Sequence, residues 1–199
     1  MNSAGQAAPM DFNRIVNGVI RAARLDRTFF KEIEGDTSYT QDALVVVIAV
    51  SLISAIGAFL GGLLLHHGFL AVILSFIWTA VWGVIGFYLW VYLVTWVGTK
   101  FFKGQGDAGE VQRCLGFAYG PQLLGILQVI PCLGALASLI GWVWSMVAGF
   151  FAIQEALDQD TTNALLTVVI SAVIVFVIGS LIGGILVGGA VLGGALTGK

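Results

Sequence analysis

Hydrophobic positions in this chain come in two patterns. Up to about residue 40 they recur at helical spacing among charged residues; after that they form long unbroken runs. Phe12, Ile15, Val16, Val19, Ile20 and Ala23 fall at i, i+3, i+4, i+7, i+8 and i+11, which is one face of a helix. Asn13, Arg14, Asn17, Arg21 and Arg24 take the other face, and Asp11 is placed to cap its start. Such a cationic amphipathic helix suits a membrane interface, with its arginines among anionic headgroups, or alternatively packing against the protein's own cytosolic loops. Leu25 to Asp36 adds a second short amphipathic turn around Phe29, Phe30 and Ile33, and Gly35-Asp36-Thr37-Ser38 is a break.

From residue 43 onward the pattern predicts five membrane spans at about 43–65, 69–99, 114–130, 133–153 and 163–190. The predicted fold class is an all-α integral membrane protein, with five transmembrane helices after a short cytoplasmic amphipathic helix. It divides into an N-terminal segment, 1–40, and a membrane domain, 41–199. His66-His67-Gly68 and Pro131-Cys132 are the tight turns between spans. Lys100 to Gln112 is the longest polar connection, and Gly104, Gly106 and Gly109 are expected to loosen it. The second run exceeds what a bilayer needs and carries Trp78, Trp82, Trp90 and Trp96, so tilt or emergence from the bilayer is expected. Glycines from Gly179 to Gly198 form four GxxxG pairs that drift around the helix, which suits close packing on several sides or a helix that frays near its end.

Composition supports this reading. Hydrophobic residues make up 58% of the 199 and charged residues only 10%, far from the roughly 25% charged of soluble domains. A net charge of −2 gives no footprint for nucleic acid. With five spans, the N-terminal segment and the 100–112 and 155–162 loops share one side. That side holds all the basic residues except Lys199, which puts the N-terminus in the cytoplasm and the C-terminus outside. Cys114 and Cys132 stand too far apart along one straight helix to form a bridge and are read as reduced.

Candidate chemistry is sparse. His66 and His67 lack partners with metal-ligand spacing, and Glu155, Asp158 and Asp160 read as a solvated loop that caps the next helix. No catalytic, metal or cofactor constellation is expected. Gln122 and Gln128 are the clearest polar side chains within a span, and a small-solute path past them is the alternative to a packing role. The one chemically varied stretch runs from Arg113 to Gln122. There Pro121 is expected to kink the helix and Gly116 and Gly120 to admit a neighbour. Arg113 is expected to snorkel to phosphates or to pair with Asp107 or Glu110.

The polar glycine-containing loop, then Arg113 and Leu115-Gly116-Phe117-Ala118-Tyr119-Gly120-Pro121, resembles the third span of the Yip domain family. Leu25 to Ile33 also resembles the segment before the first span in bacterial members. The resemblance implies a five-span, non-enzymatic protein of membrane organisation or trafficking-like processes, probed through Arg113, Gly116, Phe117, Tyr119, Gly120 and Pro121. Its implied partners are the bilayer and homo- or hetero-oligomers built through glycine-rich helices. Eukaryotic members act with Rab-type GTPases. Their Asp-Leu-Tyr-Gly-Pro signature and long N-terminal domain are missing here, so no Rab-type partner is expected. A bacterial inner membrane is the implied location.

Overall fold

The computed structural model describes residues 11–64, 69–130 and 133–178. Helices α1 (Phe12–Ala23), α2 (Arg27–Glu34), α3 (Tyr39–Leu64) and α4 (Phe69–Phe101) come first. Then follow α5 (Ala108–Ala118), a 3₁₀ segment (Gly120–Val129), α6 (Leu133–Ala156) and α7 (Thr161–Ile178). No strand occurs among the described residues. The helices α3, α4, α6 and α7 are each long and apolar enough to cross a membrane. His66, His67, Cys132 and the glycines beyond residue 178 lie outside the described residues, as does the last part of the run predicted over 163–190.

The third predicted span differs from the expected single helix. Its α-helical part starts earlier, at Ala108, and stops at Ala118; the chain then tightens into ten residues of 3₁₀ helix. At about 1.5 Å and 2.0 Å per residue these parts together reach roughly 36 Å, the same as the 24 residues of α6. The two run antiparallel: Leu115 lies against Gly149, Pro121 and Leu124 against Gly141, and the Gly134 amide donates to the Ile130 carbonyl at 2.8 Å. The composite segment packs between α3 and α6.

One end of the bundle collects the charges. Here α1 lies across α3, α5 and α6, and α2 packs on α5 and α6. One hydrophobic core runs through the two short helices and the long ones, from Ile15, Phe29, Phe30 and Ile33 to Val47, Val91, Phe117 and Ile153. Asp11 caps α1 through the amides of Asn13 and Arg14, as its position predicts, and Asp26 caps α2 through those of Thr28 and Phe29. The turn between them places Leu25 at φ 60°, the left-handed geometry that ends many helices.

The loop 102–107 is packed rather than loose. A Cβ on Gly106 would overlap the Ala156 carbonyl. The Gln105 amide donates to Leu157 O at 3.1 Å. Gln159, 7% exposed, donates from Nε2 to Gly98 O at 3.1 Å and accepts from Thr167 Oγ1 at 3.1 Å. It thereby joins the Phe102 and Gly104 amides on the Gly98 carbonyl and ties the end of α4 to the α6–α7 loop.

Acidic residues of the α6–α7 loop are shared between two tasks. Glu155 pairs with Arg27, and Asp158 pairs with Lys31 at 2.7 Å. Asp160 accepts from the Thr162 and Asn163 amides and so caps α7. The ion pairs are exposed on their basic side, so each is worth about 1 kcal/mol or less.

Asp26 makes the cap sensitive to acid. The Thr28 hydroxyl and the Arg21 guanidinium lower its carboxyl to about 2. Its lowered value contributes stability that is present above the ordinary value near 4 and lost as pH falls through about 2. Glu34, raised by burial against the pull of Lys31, contributes with the opposite sign. Amide protection over 12–34 in the detergent-purified protein, corrected for intrinsic exchange, is expected to fall between pH 4 and pH 2. Asp26→Asn should flatten that step; an identical profile in the variant would assign the acid response elsewhere.

Candidate functional site

The site is built on the segment that begins with α5. Asp107 starts this helix through a reciprocal cap: its carboxylate accepts from the Gly109 and Glu110 amides at 2.6 and 2.9 Å, and Glu110 accepts from the Asp107 amide at 3.1 Å. Less than two turns on, Arg113 is buried at 6% exposure. Its Nε donates to Ile33 O at 2.9 Å and Glu34 O at 3.1 Å, its Nη2 to Glu34 O, and its Nη1 to Thr40 Oγ1 at 3.4 Å. These carbonyls close α2, where the helix dipole favours a cation. Arg113 therefore does not snorkel outward or pair with Asp107 or Glu110. Those two carboxylates are occupied at the start of α5, and the planar guanidinium is the side chain whose fork spans two carbonyls.

The next residues are set by close approach. A Cβ on Gly116 would lie 2.8 Å from the Ala43 Cβ and 3.0 Å from the Ala43 carbonyl oxygen, so α3 meets α5 backbone to backbone. Phe117 is fully buried, edge-on to Phe29 with ring centres 5.2 Å apart and to Tyr39 at 6.0 Å. Gly18 of α1 sits directly on the Phe117 ring, and Gly120 faces Val19 of the same helix. Neighbours thus approach at Gly116 and Gly120 as expected. Pro121 does something other than kink a continuing helix. It has no amide to bond the Phe117 carbonyl, and it stands in the first turn of the 3₁₀ segment, where the missing donor costs nothing.

Tyr119 and Gln122 emerge on the far side of this segment. They line a cavity of about 360 Å³ enclosed by Trp90 of α4, Trp142 and Ser145 of α6, and residues of α7. Tyr119 also packs edge-on against Phe87 at 5.1 Å. Gln128 falls within the 3₁₀ segment, but its side chain lies outside the described residues, so only Gln122 of the two glutamines is placed at the cavity. Cys114 is free and fully buried, with its Sγ 3.5 Å from Phe30 O.

Residues 25–183 match the Yip1 domain, which is most of the chain and includes the whole segment just described. The chain belongs to the Yip1 domain family. It is accordingly a membrane protein of apolar helices. No curated protein matches the chain, and no solved structure does.

Two parts of the Yip1-domain site escape a linear reading. Asp42, 3% exposed in the first turn of α3, pairs with Arg14 of α1. Arg14 further donates to Ser38 and covers the Tyr39 ring at 4.6 Å. Arg21 is likewise taken up, by Asp26 and Glu32 at 2.8 Å each. The signal was an acidic residue at the brink of an apolar run, yet nothing in the sequence named its partner. Gln159 is the second, a lone amide in an acidic loop.

Two outcomes are expected in thermal unfolding of the detergent-solubilised protein. Arg113→Ala should cost about 2–3 kcal/mol, because it strands buried carbonyls that a charged donor now satisfies. Arg113→Lys should fail to restore this, and full recovery by lysine would show that charge alone matters. Gly116→Ala should cost about 1–3 kcal/mol through overpacking. Gly149→Ala, whose Cβ would meet Leu115 at an ordinary 3.5 Å, should be near neutral; equal effects at both positions would refute the close-approach account.

Proposed function

We propose that this Yip1-domain protein is a non-enzymatic, membrane-organising protein that crosses the bilayer five times and acts on the cytoplasmic leaflet through α1. The composite segment of α5 and the 3₁₀ helix supplies the fifth crossing, since it runs antiparallel to α6 over the same length. The N-terminus is cytoplasmic and the C-terminus outside, because the end that gathers α1, α2 and the two loops carries nearly all the basic side chains.

The observation that carries the reading is the setting of α1. Ile15, Gly18 and Ala22 are buried against the bundle, while Phe12, Val16 and Ile20 are exposed along one stripe, with Phe12 73% exposed. The helix contacts Phe117, Gly120 and Trp144, whose Nε1 donates to Ala23 O at 2.7 Å. Phe117 and Gly120 lie four and seven residues beyond Arg113, roughly 6 to 10 Å deeper. At that depth the stripe meets lipid rather than water, and a helix held there occupies the headgroup–acyl boundary of one leaflet. Because Arg14 and Arg21 are spent on internal ion pairs, the wedge is fixed to the bundle and Arg24 is left for headgroups.

Contacts with other copies or other multi-span proteins complete the reading. Helix α4 is the least covered of the long helices, and Trp78 and Trp82 stack on its outer face at 5.4 Å. The alternative path for a small solute past Gln122 and Gln128 draws less support, since Gln122 faces a cavity walled mainly by apolar side chains.

Full-length protein in anionic vesicles provides the test. An environment-sensitive fluorophore at position 16 is expected to report an apolar setting and quenching by lipid-borne nitroxides. A photo-crosslinking residue at position 78 should capture a second copy or another membrane protein. Replacing Phe12, Val16 and Ile20 with serine should return the position-16 probe to a watery setting without unfolding the bundle. A water-exposed probe in the unsubstituted protein, or a strictly monomeric and partner-free protein, would overturn the reading.

A further inference from the structure

The cavity beside Tyr119 carries an inference that is independent of the α1 reading. Its volume of about 360 Å³ is within the range of small-ligand sites, about 300–1,000 Å³. It lies among the crossing segments rather than at the charged end. Tyr119 and Ser145 are six residues from Arg113 and ten from Glu155, or roughly 9 and 15 Å inward along their helices. Trp90, Trp142, Phe150 and Phe176 supply apolar and aromatic walls, and no charged side chain among the described residues lines it.

Three neutral polar residues interrupt those walls: Tyr119, Gln122 and Ser145. Ser145 is 7% exposed, and its Oγ is buried with no hydrogen-bond partner among the described residues. A serine in a membrane helix ordinarily satisfies itself on a carbonyl or a neighbour, because an unpaired polar group surrounded by hydrocarbon is costly. This one instead stands in the wall of an apolar space that Tyr119 and Gln122 also line.

We propose that the cavity is a binding site for the hydrocarbon chain of a bilayer lipid, with a neutral oxygen group of that lipid held by Tyr119, Gln122 and Ser145. The volume and the apolar walls select a chain. The three side chains can each donate a hydrogen bond, which suits an uncharged acceptor such as an ester or ketone oxygen. The described lining offers no cation to pair with a phosphate. Phe176, 75% exposed on α7, and Trp142, 54% exposed on α6, flank the cavity where it meets the lipid phase, so a chain enters sideways from the bilayer.

The test uses the full-length chain in membranes that contain a phospholipid with a diazirine on one acyl chain, followed by mapping of the labelled residues. Labelling at Trp142, Met146 and Phe150 is expected to exceed that at Trp78 and Leu89, outward residues of α4, by at least five-fold. Ala172→Trp, which fills the cavity, should cut that labelling at least five-fold and leave α4 labelling unchanged. Ser145→Ala keeps the volume, is no threat to folding, and should reduce cavity labelling about three-fold. The same labelling at the cavity and on α4, or cavity labelling indifferent to both substitutions, would overturn the proposal. So would cross-links that join the cavity walls to residues 179–199 or to a second copy, since the occupant would then be protein.

Discussion

The buried guanidinium of Arg113 is the contact on which the arrangement turns. A helix of eight residues such as α2 is marginal on its own, and its closing carbonyls need donors. Arg113 reaches them from the composite segment that packs between α3 and α6, and so makes the short helix part of the bundle. In return α2 shields the charge, which would otherwise be costly at that position. Everything at the charged end is referred to this joint. With α2 fixed, Phe29 meets Phe117, Arg27 and Lys31 meet the α6–α7 loop, and α1 can lie over the seam.

The motif from Gly116 to Gln122 then serves two faces of one segment. On one face, small residues let α3 and α1 come close, and their contact energy comes from dispersion over a tightly packed area rather than from hydrophobic transfer. On the other, Tyr119 and Gln122 turn toward α6 and α7, where the packing leaves a cavity. Both faces run across the change from α to 3₁₀ helix at Gly120: Leu115, Ala118 and Tyr119 line the cavity before it and Gln122 after it.

Much of the layout was legible along the chain. Long apolar runs forced four of the helices, because a backbone in hydrocarbon must satisfy its own hydrogen bonds. The Arg113–Pro121 run pointed to the family that residues 25–183 match. Asp11 was readable as a cap since capping depends on neighbours two and three residues away. The direction of Arg113 was not readable: an arginine at a span boundary suits headgroups, carboxylates or backbone carbonyls equally well until α2 is in place. Glycines at 104–109 looked like slack for the same reason, whereas Gly106 is small because the Ala156 carbonyl occupies its space.

The sequence by itself determined where the chain is apolar, where it is charged, and which short stretches start helices, for these depend on composition and on spacing within a few residues. Only the tertiary structure decided which partner each polar group takes. Arg14 finds Asp42, Arg113 finds α2, and Gln159 finds the end of α4 across separations of 28, 80 and 61 residues. It also decided that the third segment ends its α-helix at Ala118 and that Tyr119, Gln122 and Ser145 border one space. Those outcomes rest on close packing between elements remote in sequence, which no local pattern encodes.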